Sequence, residues 1–100
     1  METMEMYNPP HPGAVIKDIL KGIPMTVGEF AAHLRVSRNT LSRILNEHAA
    51  VTPEMSIRIA QAFGQPTLDI WFKLQNKHDF WNAKHARRTR IRPIKIRQAA

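Results

Sequence analysis

The 100-residue chain contains no cysteine, which excludes disulfide bonds and thiolate metal sites and is typical of proteins in a reducing cytoplasm. No apolar stretch approaches the ~20 residues needed to cross a membrane, so we expect no membrane association. The N-terminal METMEMYNPP lacks the basic and apolar regions of a secretory signal. Repeats and low-complexity tracts are absent as well. The sequence therefore predicts one cytoplasmic domain with a single core.

Residue patterns that support catalysis or cofactor binding are also missing. The chain has five histidines, but no two of them lie four residues apart, as a helical metal-binding pair requires. There is no H-E-x-x-H sequence, no glycine-rich phosphate loop and no G-x-S-x-G turn. We therefore expect no enzymatic activity, no metal and no cofactor.

The net charge of +7 is concentrated at one end of the chain. Through Ala83, eight basic residues are balanced by eight acidic ones. From Lys84 onward there are seven basic residues and no acidic ones. The high isoelectric point therefore describes a basic C-terminal arm, not the body of the protein.

The apolar residues repeat at helical spacing, and no alternating strand pattern occurs, which predicts an all-α fold. Pro12 begins a helix that Gly22 and Pro24 end, and Thr52 and Pro53 begin another that Gly64 ends. Thr67 is predicted to cap a fifth helix from Leu68 to about Lys84. The inward positions are Val15, Ile16, Ile19, Leu20 and Ile23 in the first helix, and Met55, Ile59, Ala62 and Phe63 in the fourth. We expect a flexible N-terminus at 1–10, a compact five-helix domain at 11–84 and a basic arm at 85–100.

Between these helices, residues 26–46 (TVGEFAAHLRVSRNTLSRILN) have the pattern of a helix-turn-helix, with its two helices and turn at 27–46. Thr26 and Glu29 form a capping box that starts the first helix, and Ser37 caps the second. The buried positions are Phe30, Ala31 and Leu34 in the first helix, and Leu41, Ile44 and Leu45 in the second. The small Ala31 allows the second helix to cross closely.

The opposite face of the second helix is polar and carries no acidic residue before Glu47. Its side chains suit hydrogen bonds to base edges and phosphates, which predicts a DNA-binding site. The alternative is an ordinary solvated helix face. The candidate DNA-binding residues are Ser37, Arg38, Asn39, Thr40, Ser42, Arg43 and Asn46.

The fifth helix has more apolar positions than one small core can bury. Leu68, Trp71 and Phe72 fit one stripe, whereas Ile70, Leu74 and Trp81 lie on another side. One side is predicted to face the core and the other a partner or a second copy of the chain. Trp71 and Trp81 are the candidate anchors, with a place in the core as the alternative for one of them. The alternative is a central helix covered on all sides. The candidate interface residues are Ile70, Trp71, Leu74 and Trp81.

Residues 90–97, RIRPIKIR, alternate basic and apolar side chains, with Pro93 preventing a helix. Three interpretations are open: a strand that pairs with a partner's sheet edge, an arm along DNA phosphates, or a solvated tail. The excess of charged over apolar groups favours DNA.

The whole pattern resembles the HigA-type antitoxins of bacterial toxin–antitoxin modules, within the Xre/lambda-repressor-like helix-turn-helix family. The broad resemblance rests on FAAHLRVSRNTLSRIL. The narrower one rests on HPGAVIKDIL, AAVTPEMSIRIAQAFG and LDIWFKLQNKHDFW, of which T-P-E-M followed by W-x-x-L-Q (Trp71 to Gln75) is the most specific part. The match covers about residues 8–83 and leaves the basic arm outside.

The resemblance implies a lambda-repressor-like fold, a homodimer, binding to double-stranded operator DNA and repression of the protein's own operon. It also implies a protein partner, a cognate RelE-like toxin that cleaves mRNA. A stand-alone Xre-type regulator without a toxin is the alternative. Two positions depart from the family. Arg35 stands where many relatives have glycine, so a positive φ there carries a cost. Val27 stands where lambda-type repressors often have glutamine, so backbone N–H groups must make the phosphate contact.

Overall fold

The computed structural model describes residues 8–97, which form five α-helices and no strand. The helices are α1 (Pro12–Lys21), α2 (Val27–Leu34), α3 (Arg38–Leu45), α4 (Pro53–Ala62) and α5 (Ile70–His85). The predicted all-α architecture is therefore confirmed. Flexibility predicted for 1–7 falls outside the described residues. Pro9, within the predicted flexible segment, is half-buried and its carbonyl accepts a hydrogen bond from His78 Nδ1 at 2.8 Å.

Three of the predicted N-caps form as expected. Thr26 Oγ1 accepts from Glu29 N at 3.0 Å while Glu29 Oε1 accepts from Thr26 N at 2.8 Å, which completes the capping box of α2. Ser37 caps α3 and Thr52 caps α4. These bonds fix where the two helices of the helix-turn-helix begin.

The cap of α1 is a histidine that the sequence did not reveal. His11 is 7% exposed, and its Nδ1 accepts a hydrogen bond from Gly13 N at 2.9 Å. Burial and the nearby His78 ring lower the pKa of His11, and these effects outweigh the opposing influence of Glu47 and Asp79. The neutral ring keeps the lone pair that accepts the bond.

The predicted start of α5 is wrong. The helix begins at Ile70, with Asp69 at the N-cap position and no side-chain capping bond. A residue of α4 takes over that role: Ser56 Oγ accepts from Phe72 N at 3.1 Å and donates to Leu68 O at 2.8 Å. Because Ser56 satisfies these groups from outside, the chain does not need the local Thr67 cap.

The core lies between all five helices. Leu41, Ile44 and Leu45 of α3 are buried, as are Phe30, Ala31 and Leu34 of α2, so the predicted apolar faces of the motif are confirmed. The Phe63 ring stacks on Phe30 at 5.5 Å and meets Trp71 edge-on at 6.1 Å. Ile19, predicted to be inward, is 37% exposed because α1 turns this side away from its neighbours.

Two contacts hold α3 in place from other parts of the chain. A Cβ atom at Gly13 would overlap the carbonyl of Ile44, so glycine allows α1 to lie directly against the C-terminal half of α3. The buried Gln75 of α5 accepts a hydrogen bond from Val51 N at 2.8 Å, which fixes the loop that follows α3. The buried side of α3 is thus fixed, and its other face is left exposed.

Candidate nucleic-acid interface and partner surface

The predicted DNA-binding residues lie together on the outer face of α3. Ser37, Arg38, Asn39, Thr40, Arg43 and Asn46 are exposed, and Ser42 is half-buried. The segment Arg38–Leu45 contains no acidic residue, so nothing on this helix repels a phosphate. The face is chemically suited to a nucleic-acid groove.

Arg38 and Asn39 occupy the first turn of α3. Neither side chain forms a hydrogen bond or an ion pair within residues 8–97, which leaves the guanidinium and the amide available. The aliphatic part of Arg38 lies over the start of α2, where its Cδ is 3.6 Å from the position a Cβ atom would take at Gly28. Arg38 is therefore supported along its stem while its charged end remains exposed.

The hydroxyl groups of Ser37 and Thr40 are used within the helix cap. Ser37 Oγ accepts from Thr40 N at 3.0 Å and donates to Thr40 Oγ1 at 2.8 Å. The Thr40 hydroxyl therefore accepts from Ser37 and still has its own proton to donate. Both residues contribute to the start of α3 in addition to any role in binding.

The C-terminal part of the face is already partly hydrogen-bonded. Arg43 Nη2 donates to His48 O at 3.2 Å, and Asn46 Nδ2 donates to Ser42 Oγ at 3.3 Å. Lys17 Nζ of α1 donates to Asn46 Oδ1 at 3.3 Å. Lys17 thus adds a cation that the sequence-based set missed, since no local pattern connects residues 29 positions apart.

The turn between α2 and α3 contains a residue with positive φ, at the position where many members of the resembled family have glycine. Arg35 adopts φ 62° and ψ 42°, in the left-handed region. Arg58 of α4 stabilises this turn: its Nη1 donates to Leu34 O at 2.9 Å and to Arg35 O at 3.1 Å. A cation at the C-terminal end of α2 also interacts favourably with the helix dipole. No local sequence pattern indicates this contact between α4 and the turn.

The predicted partner surface on α5 needs two corrections. Trp71 is only 4% exposed, donates from Nε1 to Gln65 Oε1 at 2.8 Å and belongs to the core, so it is not a surface anchor. Leu74 is half-buried and packs against the same core. Ile70 is 39% exposed, and Trp81 is half-buried with its ring stacked on His85 at 3.8 Å.

Phe80 is a large apolar side chain that the sequence-based set missed. It is 68% exposed. At about 100° per residue, Phe80 lies on the opposite side of α5 from Trp71. Apolar surface on α5 therefore extends beyond the side that carries Ile70, Leu74 and Trp81, as expected for a helix with more apolar residues than the core can bury.

Beyond α5 the arm has no regular secondary structure through residue 97. Arg88 Nη1 donates to Ala83 O at 2.7 Å and to Lys84 O at 3.0 Å, which caps the last turn of α5. Ile91, Ile94 and Ile96 are each about 80% exposed. The described arm residues therefore form no part of the core.

Within residues 8–97 the structure brings together no cluster of three or more His, Cys, Asp or Glu side chains that could hold a metal ion. None of the described helices is both long and apolar enough to cross a membrane.

The helix-turn-helix family model matches residues 16–74, which include all of α2, α3 and α4. The chain belongs to the helix-turn-helix family.

Two curated relatives match most of the chain. Virulence-associated protein A' of Dichelobacter nodosus is 37% identical over 79 residues, which are 79% of this chain and 69% of that protein. The uncharacterized HTH-type transcriptional regulator YddM of Escherichia coli (strain K12) is 35% identical over 86% of this chain and 87% of its own length. The match is thus not confined to the helix-turn-helix itself.

Solved structures of similar helix-turn-helix proteins include antitoxins. A protein described as an antidote of a plasmid maintenance system from Nostoc punctiforme is 36% identical, with a TM-score of 0.72 over 78% of this chain and 85% of that one. A HigA-family addiction module antidote from Coxiella burnetii is 26% identical, with a TM-score of 0.70 over 83% and 100%. Antitoxin HigA of Pseudomonas aeruginosa, solved with the higBA promoter, is 28% identical, with a TM-score of 0.70 over 75% and 82%. The predicted resemblance to HigA-type antitoxins is confirmed at the level of structure.

Proposed function

We propose that this protein is a cytoplasmic, sequence-specific DNA-binding antitoxin that represses its own operon and neutralises a cognate RelE-like, mRNA-cleaving toxin. The observation that carries the DNA-binding part is the outer face of α3, where Arg38 and Asn39 are exposed and free of partners within residues 8–97. The similar Pseudomonas aeruginosa antitoxin, solved with promoter DNA, supports the same use of the fold. The proposal assigns no catalytic step to the chain.

Arg38 and Asn39 are the proposed base-reading residues. An arginine matches the two acceptors of guanine in the major groove, and an asparagine matches the acceptor and donor of adenine. The first turn of a recognition helix is where side chains reach base edges. Arg43, Asn46 and Lys17, near the other end of α3, are placed to contact phosphates that flank those bases.

We further propose that two copies bind a palindromic operator as a symmetric homodimer. One recognition helix reads too few bases for useful specificity, and Ile70 and Trp81 on one side of α5 offer apolar surface for a second copy. Such a dimer would place two α3 helices about 34 Å apart, one turn of DNA. Trp71 is excluded from this interface by its burial in the core.

The antitoxin role is supported by the HigA-family and plasmid-maintenance antidotes among the similar structures. The alternative is a stand-alone Xre-type regulator, which the similarity to the regulator YddM favours. The two differ in the product of the neighbouring gene. Co-expression of that gene and co-purification with the tagged chain tests the difference: a bound basic protein of toxin size supports the antitoxin, and its absence supports the regulator.

Alanine substitution of Arg38 and of Asn39 tests base reading. Each change is expected to cost about 1–3 kcal/mol of binding free energy on a duplex from upstream of the gene, while binding to a scrambled duplex is retained. Fluorescence anisotropy with both duplexes measures the ratio of the affinity for the upstream duplex to the affinity for the scrambled duplex. Lys73→Ala, which removes an exposed cation on α5, is the matched control and should leave the ratio unchanged. If the double variant R38A/N39A prefers the upstream duplex as strongly as the parent protein does, the assignment is wrong.

A further inference from the structure

The arm, residues 86–97, differs electrostatically from the helical body. Within residues 8–97 the body pairs Lys21 with Asp18, Arg58 with Glu54 and Lys73 with Asp69. The arm contains no acidic residue, and its cations form no ion pair within the described chain. The six arm cations are Arg87, Arg88, Arg90, Arg92, Lys95 and Arg97. They therefore form a concentrated positive charge with no compensating anion on the same segment.

The middle of α5, the helix from which the arm continues, lies close to the C-terminal end of the proposed recognition helix. Gln75 bonds the loop after α3, and the His78 ring contacts His11, 5.2 Å away between centroids, next to where Gly13 lies against Ile44. From His78 to the end of α5 the helix rises ~10 Å. The 12 residues of the arm then span up to ~40 Å when extended. The arm is therefore long enough to run beyond α3 along a bound duplex.

The side-chain pattern of the arm suits a row of phosphates better than a protein strand. In an extended chain alternate side chains share one side, about 7 Å apart, so Arg90 and Arg92 lie on one side of the arm and Lys95 and Arg97 on the other. Pro93 lies in the middle of the alternating segment and has no N–H to give to a sheet partner. Cations also outnumber the three exposed isoleucines two to one.

We propose that the arm lies along the phosphate backbone of double-stranded DNA that flanks the site bound by α3. This inference rests on the proposed operator binding for the position of α3. The arm adds affinity that is independent of base sequence, because its guanidinium and ammonium groups neutralise phosphates and release their counterions. The recognition helix then selects the site, and the arm strengthens the complex on any sequence.

The test measures the salt dependence of binding for four full-length proteins. These are the parent chain, a charge-removing variant (R90Q/R92Q/K95Q), a charge-conserving variant (R90K/R92K) and an isoleucine-removing variant (I91S/I94S/I96S). Each is titrated against the upstream duplex and against a scrambled duplex of equal length, from about 50 to 200 mM salt. All the substituted side chains are exposed and outside the core, so the helical domain is retained in every variant.

The charge-removing variant is expected to bind both duplexes more weakly by the same factor. Its slope of log K against log salt should be shallower by as much as about 0.9 for each lost contact, hence up to ~3. The charge-conserving and isoleucine-removing variants should keep the parent slope. Shortening both duplexes by a few base pairs at each end should reduce the parent slope to that of the charge-removing variant and leave the latter unchanged.

An unchanged slope in the charge-removing variant overturns the proposal. So does a larger loss of DNA affinity in the isoleucine-removing variant than in the charge-removing variant, because the isoleucines and not the cations would then make the contact. The proposal is also overturned if the parent protein binds a single-stranded RNA more tightly than the scrambled duplex and the charge-removing variant loses this preference. Failure of the parent to prefer the upstream duplex would instead contradict the proposed operator binding, while the slopes on the scrambled duplex still decide the role of the arm.

Discussion

Some single residues of this protein make contacts with two different parts of the chain. His11 caps α1 through its ring nitrogen and also contacts His78, whose own Nδ1 donates to Pro9 O. The pair therefore connects the segment before α1 to the middle of α5. His11 can accept from Gly13 N only while its ring nitrogen is unprotonated, so this connection depends on pH.

The lowered pKa of His11 predicts that stability falls in mild acid. The unfolded chain takes up a proton near pH 6.5, whereas the folded chain does so only at lower pH. The unfolded state therefore binds more protons between these two values, and the free energy of unfolding decreases as pH falls below 6.5. One proton gives a slope of at most about 1.4 kcal/mol per pH unit.

Urea denaturation at a series of pH values from 7.5 to 5 measures this slope. His11→Asn keeps a side-chain oxygen for the cap but cannot titrate, so its slope should be smaller than that of the parent. His33→Asn, at an exposed position of α2, is the matched control and should keep the parent slope. Equal slopes in all three proteins would rule out His11 as the source of the acid sensitivity. His78, Glu47 and Asp79 surround the ring and are unchanged in both variants.

At the scale of the helices, the start of α5 depends on a serine in another helix. Ser56 is fully buried and bonds both Phe72 N and Leu68 O. Ser56→Ala is expected to lower the free energy of unfolding by about 1–3 kcal/mol, since it leaves two backbone groups without a partner. Thr67→Ala removes a hydroxyl that the sequence predicts as the cap but that forms no capping bond in the structure. This change should alter the free energy of unfolding by less than about 0.5 kcal/mol.

Thermal or chemical denaturation of the two variants decides between a tertiary and a local cap. A larger loss of stability for Thr67→Ala than for Ser56→Ala would show that the helix start depends on Thr67 after all.

The sequence predicted helices whose signals are local. Thr26 with Glu29, Ser37, and Thr52 with Pro53 each lie within three residues of the groups they satisfy, and all form as expected. Contacts between distant residues escaped prediction: Ser56 with Phe72, Arg58 with Leu34 and Lys17 with Asn46. Composition and residue spacing do not indicate which helices pack against each other, so they do not predict these contacts.

In the candidate site, too, local features could be predicted from the sequence and contacts between distant residues could not. The outer face of α3 could be read from the sequence, because an amphipathic helix presents one polar side whatever surrounds it. The sequence could not predict which side chains on that face are already hydrogen-bonded within the protein. Only the fold shows that Arg38 is free within the described chain, whereas Arg43 and Asn46 are already bonded to His48 and Ser42. Trp71 was assigned to a surface because periodicity alone does not distinguish two apolar sides of one helix.

At the scale of the whole molecule, the proposed homodimer predicts a specific response to charge at Ile70. Ile70→Lys should weaken self-association at least tenfold, because a buried, unpaired ammonium group opposes the interface. Ile19→Lys is the matched control, since Ile19 is 37% exposed and Ile70 is 39% exposed. Sedimentation without DNA, at micromolar concentration, should show a dimer for the parent and the control and a monomer for Ile70→Lys. A monomeric parent under these conditions would contradict the dimer.

The separation of charge between body and arm has a consequence for how the protein behaves in concentrated solution. Residues 1–83 have no formal net charge at pH 7, so a chain that lacked the residues after Ala83 would be near its isoelectric point there. Proteins in that condition repel one another weakly and tend to precipitate. Phe80 and Ile70 add exposed apolar area that favours such association. We therefore expect the arm to supply most of the electrostatic repulsion between copies of this protein, and a polyanion that neutralises the arm to promote their precipitation.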